Sequence, residues 1–165
     1  MTKQVGDLTV VGVSKSFGGV AALTDVSITI KQGEVHSLVG ENGAGKSTLG
    51  KIISGLLVPD SGHIQISGET VSFRSPREAL AYGIVTIAQE LAIVPGLTVA
   101  ENVLLGDEPK RVGFIQRKKL RKDFTALAKR VGFEFSPDTV AGSLSVAEQQ
   151  KIEILRALSR NASII

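Results

Sequence analysis

The stretch Gly-Glu-Asn-Gly-Ala-Gly-Lys-Ser-Thr, residues 40–48, decides the fold of this chain. It fits the phosphate-binding template G-x-x-x-x-G-K-[ST], with Gly40 and Gly45 as the fixed glycines. Glycines let the backbone wrap an anion with its N–H groups pointing inward. Lys46 would place a positive charge on the β- and γ-phosphates, and the Ser47 hydroxyl would ligate Mg²⁺. The motif predicts a nucleoside triphosphate site.

The residues around the motif are those that such a loop requires. Residues 34–39 (Glu-Val-His-Ser-Leu-Val) predict a short, mostly apolar strand before it. Leu49, Ile52 and Ile53 recur at helical spacing after it, and Gly55 provides a helix stop. The alternative is a glycine-rich turn between a strand and a helix with no ligand. The complete motif between a strand and a helix favours the nucleotide site.

Length and composition restrict the class of protein. The 165 residues are enough for one domain with a core, and 42% hydrophobic with 21% charged residues is typical of a globular protein. The absence of cysteine excludes disulfides and thiolate metal sites. No apolar run is long enough to span a bilayer, and the first seven residues lack the apolar core of a secretory signal. A net charge of +3 is weak evidence for nucleic acid.

The N-terminal half predicts several short strands and a helix, with residues 14–19 as a loop. Within that loop Phe17, taken alone, is expected to be a core anchor rather than a ligand contact. The predicted strands are 8–13, 26–30, 63–66 and 71–73, and the helix runs from Ser75 as N-cap to Tyr82.

Residues 84–87 (Ile-Val-Thr-Ile) predict a buried strand that ends just before Gln89. Ligands of open α/β sheets bind outside the carboxyl ends of the strands, so Gln89 is expected to face the same phosphates. A single glutamine after a strand is by itself a weak signal.

The C-terminal half is predicted to be mostly helical. Capping boxes, in which a Ser or Thr N-cap is followed three residues later by Glu, begin helices at Thr98 and Ser145. These helices run to Leu105 and about Leu158, a third covers 117–131, residues 106–116 are irregular, and 161–165 begin a buried strand.

The helix over 117–131 has one strongly basic face. Two interpretations are open, a patch for nucleic acid or an acidic partner, and an ordinary solvated helix face. The solvated face is favoured because no aromatic residues interleave with the charges. The basic residues are Arg117, Lys118, Lys119, Arg121, Lys122, Lys129 and Arg130.

Five motifs in a fixed order give the chain a family resemblance. They are Lys15–Gly19, the loop 40–48, Pro59–Gly62, Gln89–Glu90 and Leu144–Gln150. Together they resemble the ATP-binding cassette (ABC) ATPases, and within them the ATP subunit of bacterial importers of monosaccharides of the ribose, galactose and xylose type. The resemblance implies an α/β P-loop fold with an antiparallel β portion at the N-terminus, incomplete at the C-terminus.

The resemblance also implies a role for each site residue. Phe17 would stack on adenine, and Lys46 and Gln89 would be catalytic, Gln89 touching Mg²⁺ and the attacking water. Ser145 would contact the γ-phosphate of ATP on an opposite cassette. The implied nucleotide ligands are Phe17, Gly40, Glu41, Asn42, Gly43, Ala44, Gly45, Lys46, Ser47 and Thr48; the implied metal ligands are Ser47 and Gln89; and the contacts to the opposite nucleotide are Ser145, Val146, Ala147 and Gln149.

Two departures from the family pattern limit what is expected of this chain. Val146 and Ala147 stand where the usual signature has two glycines, as in sugar importers. The chain stops at Ile165, before the family's Walker B Asp, catalytic Glu, D-loop and switch His. We therefore expect one partial cassette over 1–165, with the β portion and P-loop core at 1–90, a helical signature portion at about 91–160 and the start of the Walker B strand at 161–165. Negligible hydrolysis is expected from this chain alone.

The function implied for the intact protein is sugar import driven by MgATP binding and hydrolysis at a dimer of cassettes. Its expected partners are a second cassette, a transmembrane permease near Gln89 and, indirectly, a periplasmic sugar-binding protein, at the cytoplasmic face of the bacterial inner membrane. The alternatives are a non-catalytic nucleotide-binding module and a cassette protein linked to nucleic acid or translation, although no nucleic acid is expected. A GTPase is disfavoured because the sequence has no N-K-x-D motif.

Overall fold

Residues 6–87 and 91–165 are described by a computed structural model, and their contacts form two units. The first runs to Thr86 and includes Ile164, and the second covers Ile87–Ser163 with Ile165. The first unit contains β1 (Leu8–Phe17), β2 (Val20–Ile30), α1 (Lys46–Ile53), β3 (Ser61–Ile66), β4 (Glu69–Val71) and α2 (Pro76–Ala81). The second contains α3 (Val99–Val103), β5 (Lys110–Arg111), β6 (Phe114–Ile115), α4 (Arg117–Arg130), a 3₁₀ turn (Ala141–Ser143) and α5 (Val146–Ser159).

An antiparallel sheet of order β2-β1-β3-β4 forms the β portion of the first unit. The predicted antiparallel portion is thus present, and its inward residues on β1 (Leu8, Val10 and Val13) are fully buried. The expectation of a loop over 14–19 was wrong, because β1 continues to Phe17 and pairs there with the start of β2. Only Gly18 and Gly19, with positive φ, remain to form the turn.

The two predicted helices of this unit are present. α1 buries Leu49 and Ile52 against the sheet residues of the core, as its spacing predicted. α2 begins after Ser75, whose hydroxyl accepts a hydrogen bond from the Glu78 N–H.

The predicted strand before the phosphate loop is the clearest error for this unit. Residues 34–39 form no regular strand, and Val35 and Val39 are 94% and 93% exposed. A strand holds its conformation through hydrogen bonds to neighbouring strands. No other segment within 6–87 or 91–165 pairs with residues 34–39. An apolar pattern alone was therefore insufficient here.

The predicted strands at 84–87 and 161–165 are reduced to one parallel bridge between Ile84 and Ile164. Its two hydrogen bonds run from the Val85 N–H to the Ile164 carbonyl at 3.0 Å and from the Ile164 N–H to the Gly83 carbonyl at 3.1 Å. Both strand predictions were therefore too long. Two short segments that pair only with each other make few ladder bonds, which is insufficient for regular strands.

Helices α3, α4 and α5 pack around a second apolar core that contains Val103, Phe124 and Leu155. The helix predicted over 117–131 is present, and its buried residues are Leu120, Phe124 and Ala128. The 106–116 segment was predicted to be irregular, but it contains the hairpin β5–β6. No helix within the described residues combines the length and apolar character needed to cross a bilayer.

Candidate nucleotide site

The loop at 40–48 leads directly into α1, whose N-cap is Gly45 with φ 80°. No side chain caps this helix end, and its first turn contains no acidic residue. The first N–H groups of a helix have no partner within the helix, and the helix dipole places partial positive charge there. The start of α1 therefore has the properties of an anion-binding site.

Gly45 also lets the loop lie directly on the sheet. A Cβ at this position would stand 2.4 Å from the Ala22 carbonyl oxygen and 2.6 Å from Cδ2 of Leu23. Both neighbours belong to β2. Glycine is thus required for its left-handed backbone and for the close approach to β2, which fixes the C-terminal end of the loop.

Lys46 folds back across the loop. Its Nζ donates to the carbonyl oxygens of Gly40 and Glu41, each at 2.7 Å. The ammonium has three N–H donors, so one remains for another acceptor. This places a positive charge beside the open side of the loop and at the start of α1, where a phosphate would add a third acceptor.

Ser47 follows in the first turn of α1 with an exposed side chain. No cluster of three or more His, Cys, Asp or Glu suited to a metal ion occurs among the described residues. Mg²⁺ bound with a nucleotide takes most of its ligands from phosphates and water and needs few from protein. The Ser47 hydroxyl fits one such position, whereas Gln89, the other predicted metal ligand, lies outside the described residues.

Phe17 ends β1 and is 47% exposed. The interpretation of this residue, taken alone, as a core anchor was wrong. The Lys15 ammonium lies 5.8 Å from the ring centroid. An exposed aromatic ring beside a cation is a suitable surface for a planar, electron-rich base.

Asp60 holds the backbone immediately before Phe17. One carboxylate oxygen accepts from Lys15 Nζ at 2.6 Å and the other from the Ser16 N–H at 2.8 Å. The hydrogen bond from Lys15, and then that from Ser16, lower the pKa of the Asp60 carboxyl below its ordinary value. Sequence analysis identified Asp60 only as part of the motif at 59–62. Its partners lie 44 and 45 residues away and follow from the register of the sheet.

The segment before α5 contains the residues predicted to contact a nucleotide on an opposite cassette. Ser145, Val146 and Ala147 are exposed in succession. The predicted capping box is confirmed. The Glu148 carboxylate accepts a hydrogen bond from the Ser145 hydroxyl at 2.6 Å and another from the Ser145 backbone N–H at 2.9 Å. Both hydrogen bonds lower the pKa of the Glu148 carboxyl below its ordinary value, and the bond from the Ser145 hydroxyl has the larger effect. A nucleotide phosphate that accepts a hydrogen bond from the Ser145 hydroxyl would have to displace the Glu148 carboxylate, which already accepts that bond.

Gln149, the fourth residue of that predicted set, has an internal role. Its Nε2 donates to the carbonyl oxygens of Ala141 and Leu144 at 3.2 and 3.1 Å. These bonds join the 3₁₀ turn to α5. Contact between Gln149 and a nucleotide stays a prediction.

A buried polar network in the second unit was missed from the sequence. The Arg156 guanidinium donates to the carbonyls of Asn102 (2.9 Å) and Ala92 (2.9 Å) and to the Glu153 carboxylate (3.0 Å). The Asn102 side chain in turn exchanges hydrogen bonds with the backbone of Val94. The network joins α3 and α5 to residues 92–94, which come shortly after Gln89. The available signal was a charged pair, Glu153 and Arg156, on the apolar face of a helix.

Comparison with known proteins gives one consistent result. The family model described as ABC transporter matches residues 23–165. A ribose import ATP-binding protein of Rubrobacter xylanophilus is 49% identical over 93% of this chain, and an arabinose import ATP-binding protein of Yersinia pestis is 47% identical over 93%. A nucleotide-free ATP-binding cassette from an ABC transporter superposes with a TM-score of 0.79 and 30% identity, covering 95% of this chain and 66% of that one.

The chain spans 31% and 29% of the lengths of those two sugar-import proteins. The cassette fold predicted from the motifs is confirmed by the solved relative. Since the family model covers residues 23–165, including the phosphate loop and the segment before α5, the chain belongs to the ABC transporter family.

Proposed function

We propose that this chain is the nucleotide-binding part of an ATP subunit that drives sugar import. The observation that supports the proposal most directly is the uncapped N-terminus of α1, beside which the Lys46 ammonium lies. The relatives named above are ribose and arabinose import proteins, which supports a sugar as the transported molecule.

In the proposed complex, the loop N–H groups and the start of α1 hold the phosphates. Lys46 keeps its bonds to the Gly40 and Glu41 carbonyls and donates its third N–H to a phosphate oxygen. The Ser47 hydroxyl is one ligand of the Mg²⁺ that accompanies ATP and neutralises phosphate charge. The ring of Phe17 stacks on adenine, and Asp60 holds the strand that carries it.

Hydrolysis and transport are proposed for a longer protein that contains this chain. Phosphoryl transfer to water needs groups that orient the attacking water in addition to the phosphate cradle. Gln89 is proposed as one of them and as the region that meets a permease. Ser145, Val146 and Ala147 are proposed to complete the site of a second cassette, at the cytoplasmic face of the membrane. A periplasmic sugar-binding protein would take part only indirectly.

The test is a titration of the purified chain with a fluorescent ATP analogue and Mg²⁺. Lys46→Ala is compared with Lys51→Ala, a matched control in the last turn of the same helix. We expect Lys46→Ala to abolish binding and Lys51→Ala to leave it unchanged. Equal affinities in the two variants would contradict the assigned site. Ser47→Ala should weaken binding with Mg²⁺ more than binding without it.

A further inference from the structure

The hairpin β5–β6 carries exposed apolar side chains that no part of the described chain covers. Val112 and Phe114 are 87% and 80% exposed, and Ile115 is 48% exposed. Isolated exposed apolar residues are ordinary, but a continuous group of them is typical of an interaction site. This group stands on a two-stranded ribbon of only two residues per strand.

The turn of the hairpin has an unfavourable residue for its backbone. Val112 and Gly113 both have positive φ, 50° and 81°, as a two-residue hairpin turn of the primed type requires. Asn or Asp is usual before the glycine, and a β-branched residue with positive φ is a conformational outlier. Local folding therefore gives no reason for valine at this position, while an apolar contact would.

Basic side chains surround the apolar group. Between 107 and 119 the chain has five basic and two acidic residues. Arg111 lies opposite Phe114 in the register, and it makes no ion pair within the described residues. Of the two acids, Glu108 is engaged: its carboxylate accepts from the Gly106 N–H at 3.0 Å and lies 3.3 Å from Lys110 Nζ.

The basic charge continues along α4, which begins at Arg117, two residues after the end of β6. Lys118, Lys122 and Lys129 fall on one stripe at the helical period, opposite the buried face that contains Phe124. Each is exposed and unpaired among residues 6–87 and 91–165, whereas Lys119 and Arg121 are paired with carboxylates. Three free positive charges therefore lie together on the outer stripe.

We propose that the hairpin β5–β6 inserts into the surface of an anionic phospholipid bilayer. Val112, Phe114 and Ile115 would enter the boundary between headgroups and acyl chains, while Arg111 and the lysine stripe contact the phosphates. Apolar residues beside exposed cations are the pattern of interfacial membrane binding. Nucleic acid fits less well, since single-stranded nucleic acid needs stacking rings in a groove and this projection has one aromatic ring between two aliphatic residues.

The sequence permits a direct test, because it contains no tryptophan. Phe114→Trp places a single fluorophore at the hairpin, and Val20→Trp places a matched one at a 72% exposed position in the other unit. The probes are vesicles of phosphatidylcholine with and without phosphatidylglycerol. We expect the emission of Phe114→Trp to shift to the blue, and to be quenched by brominated acyl chains, only with the anionic vesicles. Val20→Trp should not respond.

Co-flotation of the chain with the same vesicles measures the affinity without a fluorophore. Phe114→Asn should weaken binding about tenfold or more, through loss of one buried aromatic side chain. Arg111→Ala and Lys118→Ala should each weaken it about fivefold at low salt and less at high salt, whereas Val20→Asn should have no effect. Circular dichroism verifies that each variant is folded.

Three results would overturn the proposal. The first is equal binding to neutral and anionic vesicles, and the second is unchanged binding by Phe114→Asn. The third is binding to an RNA homopolymer in the absence of any binding to vesicles. In that case the RNA binding would depend on salt and would be weakened by Lys118→Ala but not by Phe114→Asn. This result would assign the surface to nucleic acid.

Discussion

Replacement of Gly45 by alanine tests whether the phosphate loop is held against the sheet as described. Two costs follow from the structure. The backbone at φ 80° disfavours an L side chain by about 1–2 kcal/mol. The new Cβ would also stand 2.4 Å from the Ala22 carbonyl oxygen, and such overpacking costs about 1–3 kcal/mol. The total loss of unfolding free energy should be about 2–5 kcal/mol.

Gly43→Ala is the matched control. Gly43 has φ +89°, and no atom lies within 4 Å of a Cβ built there, so only the backbone cost applies. The difference between the two variants therefore isolates the contact with β2.

Urea unfolding followed by tyrosine fluorescence is a suitable assay. Tyr82 is the only tyrosine and no tryptophan is present, so the signal comes from the first unit, where its ring centroid lies 5.5 Å from that of Phe73. Gly45→Ala should lose about 1–3 kcal/mol more than Gly43→Ala. Equal losses would refute the packing of the loop on β2.

Two further predictions concern polar contacts. Arg156→Met should destabilise the second unit by about 3–5 kcal/mol, because it leaves the buried Glu153 carboxylate without its partner. The double variant Arg156→Met with Glu153→Gln should recover part of this loss, and thermal melts of the two variants measure the difference. Asp60→Asn should flatten the acid limb of the pH–stability profile of the first unit. The folded-state pKa of Asp60 is depressed, so the stability that its carboxylate contributes is present above the unfolded pKa, near 3.8, and is lost as the pH falls through the folded-state pKa. An unchanged profile would contradict the ion pair between Asp60 and Lys15.

The sequence predicted elements that depend on local contacts and failed where distant segments must pair. The capping boxes at Thr98 and Ser145 involve residues three apart, and both are present. The strand predicted at 34–39 required partners that no local pattern can supply. The bonds of Asp60 to Lys15 and Ser16, and those of Arg156 to the Asn102 and Ala92 carbonyls, were missed for the same reason. These partners are 44–64 residues apart in the sequence.

The same distinction between local and distant contacts applies to the candidate site. The phosphate loop was predicted residue by residue because its chemistry lies within nine consecutive residues. The exposure of the Phe17 side chain was not predicted, because it depends on how far β1 extends along the chain. The hairpin at 110–115 was missed because its turn uses valine where the usual signal is Asn or Asp.

The unpaired segment at 34–39 changes how Lys46→Ala should be interpreted. The loop is held at its C-terminal end by Gly45 on β2, but its N-terminal end follows a segment without strand partners among the described residues. The bonds from Lys46 to the Gly40 and Glu41 carbonyls are therefore the contacts that join the two ends. Removal of the ammonium should loosen the loop as well as remove a phosphate contact.

Amide hydrogen exchange without nucleotide distinguishes these two effects. The Ala44 N–H donates to the Glu41 carbonyl at 3.1 Å, so its exchange reports on the loop turn, while the Leu49 N–H, bonded to the Gly45 carbonyl at 2.9 Å, reports on α1. Lys46→Ala should accelerate exchange at Ala44 and leave Leu49 unchanged. Unchanged exchange at Ala44 would mean that the loop holds its shape without Lys46, and the loss of ATP binding would then follow from the missing charge alone.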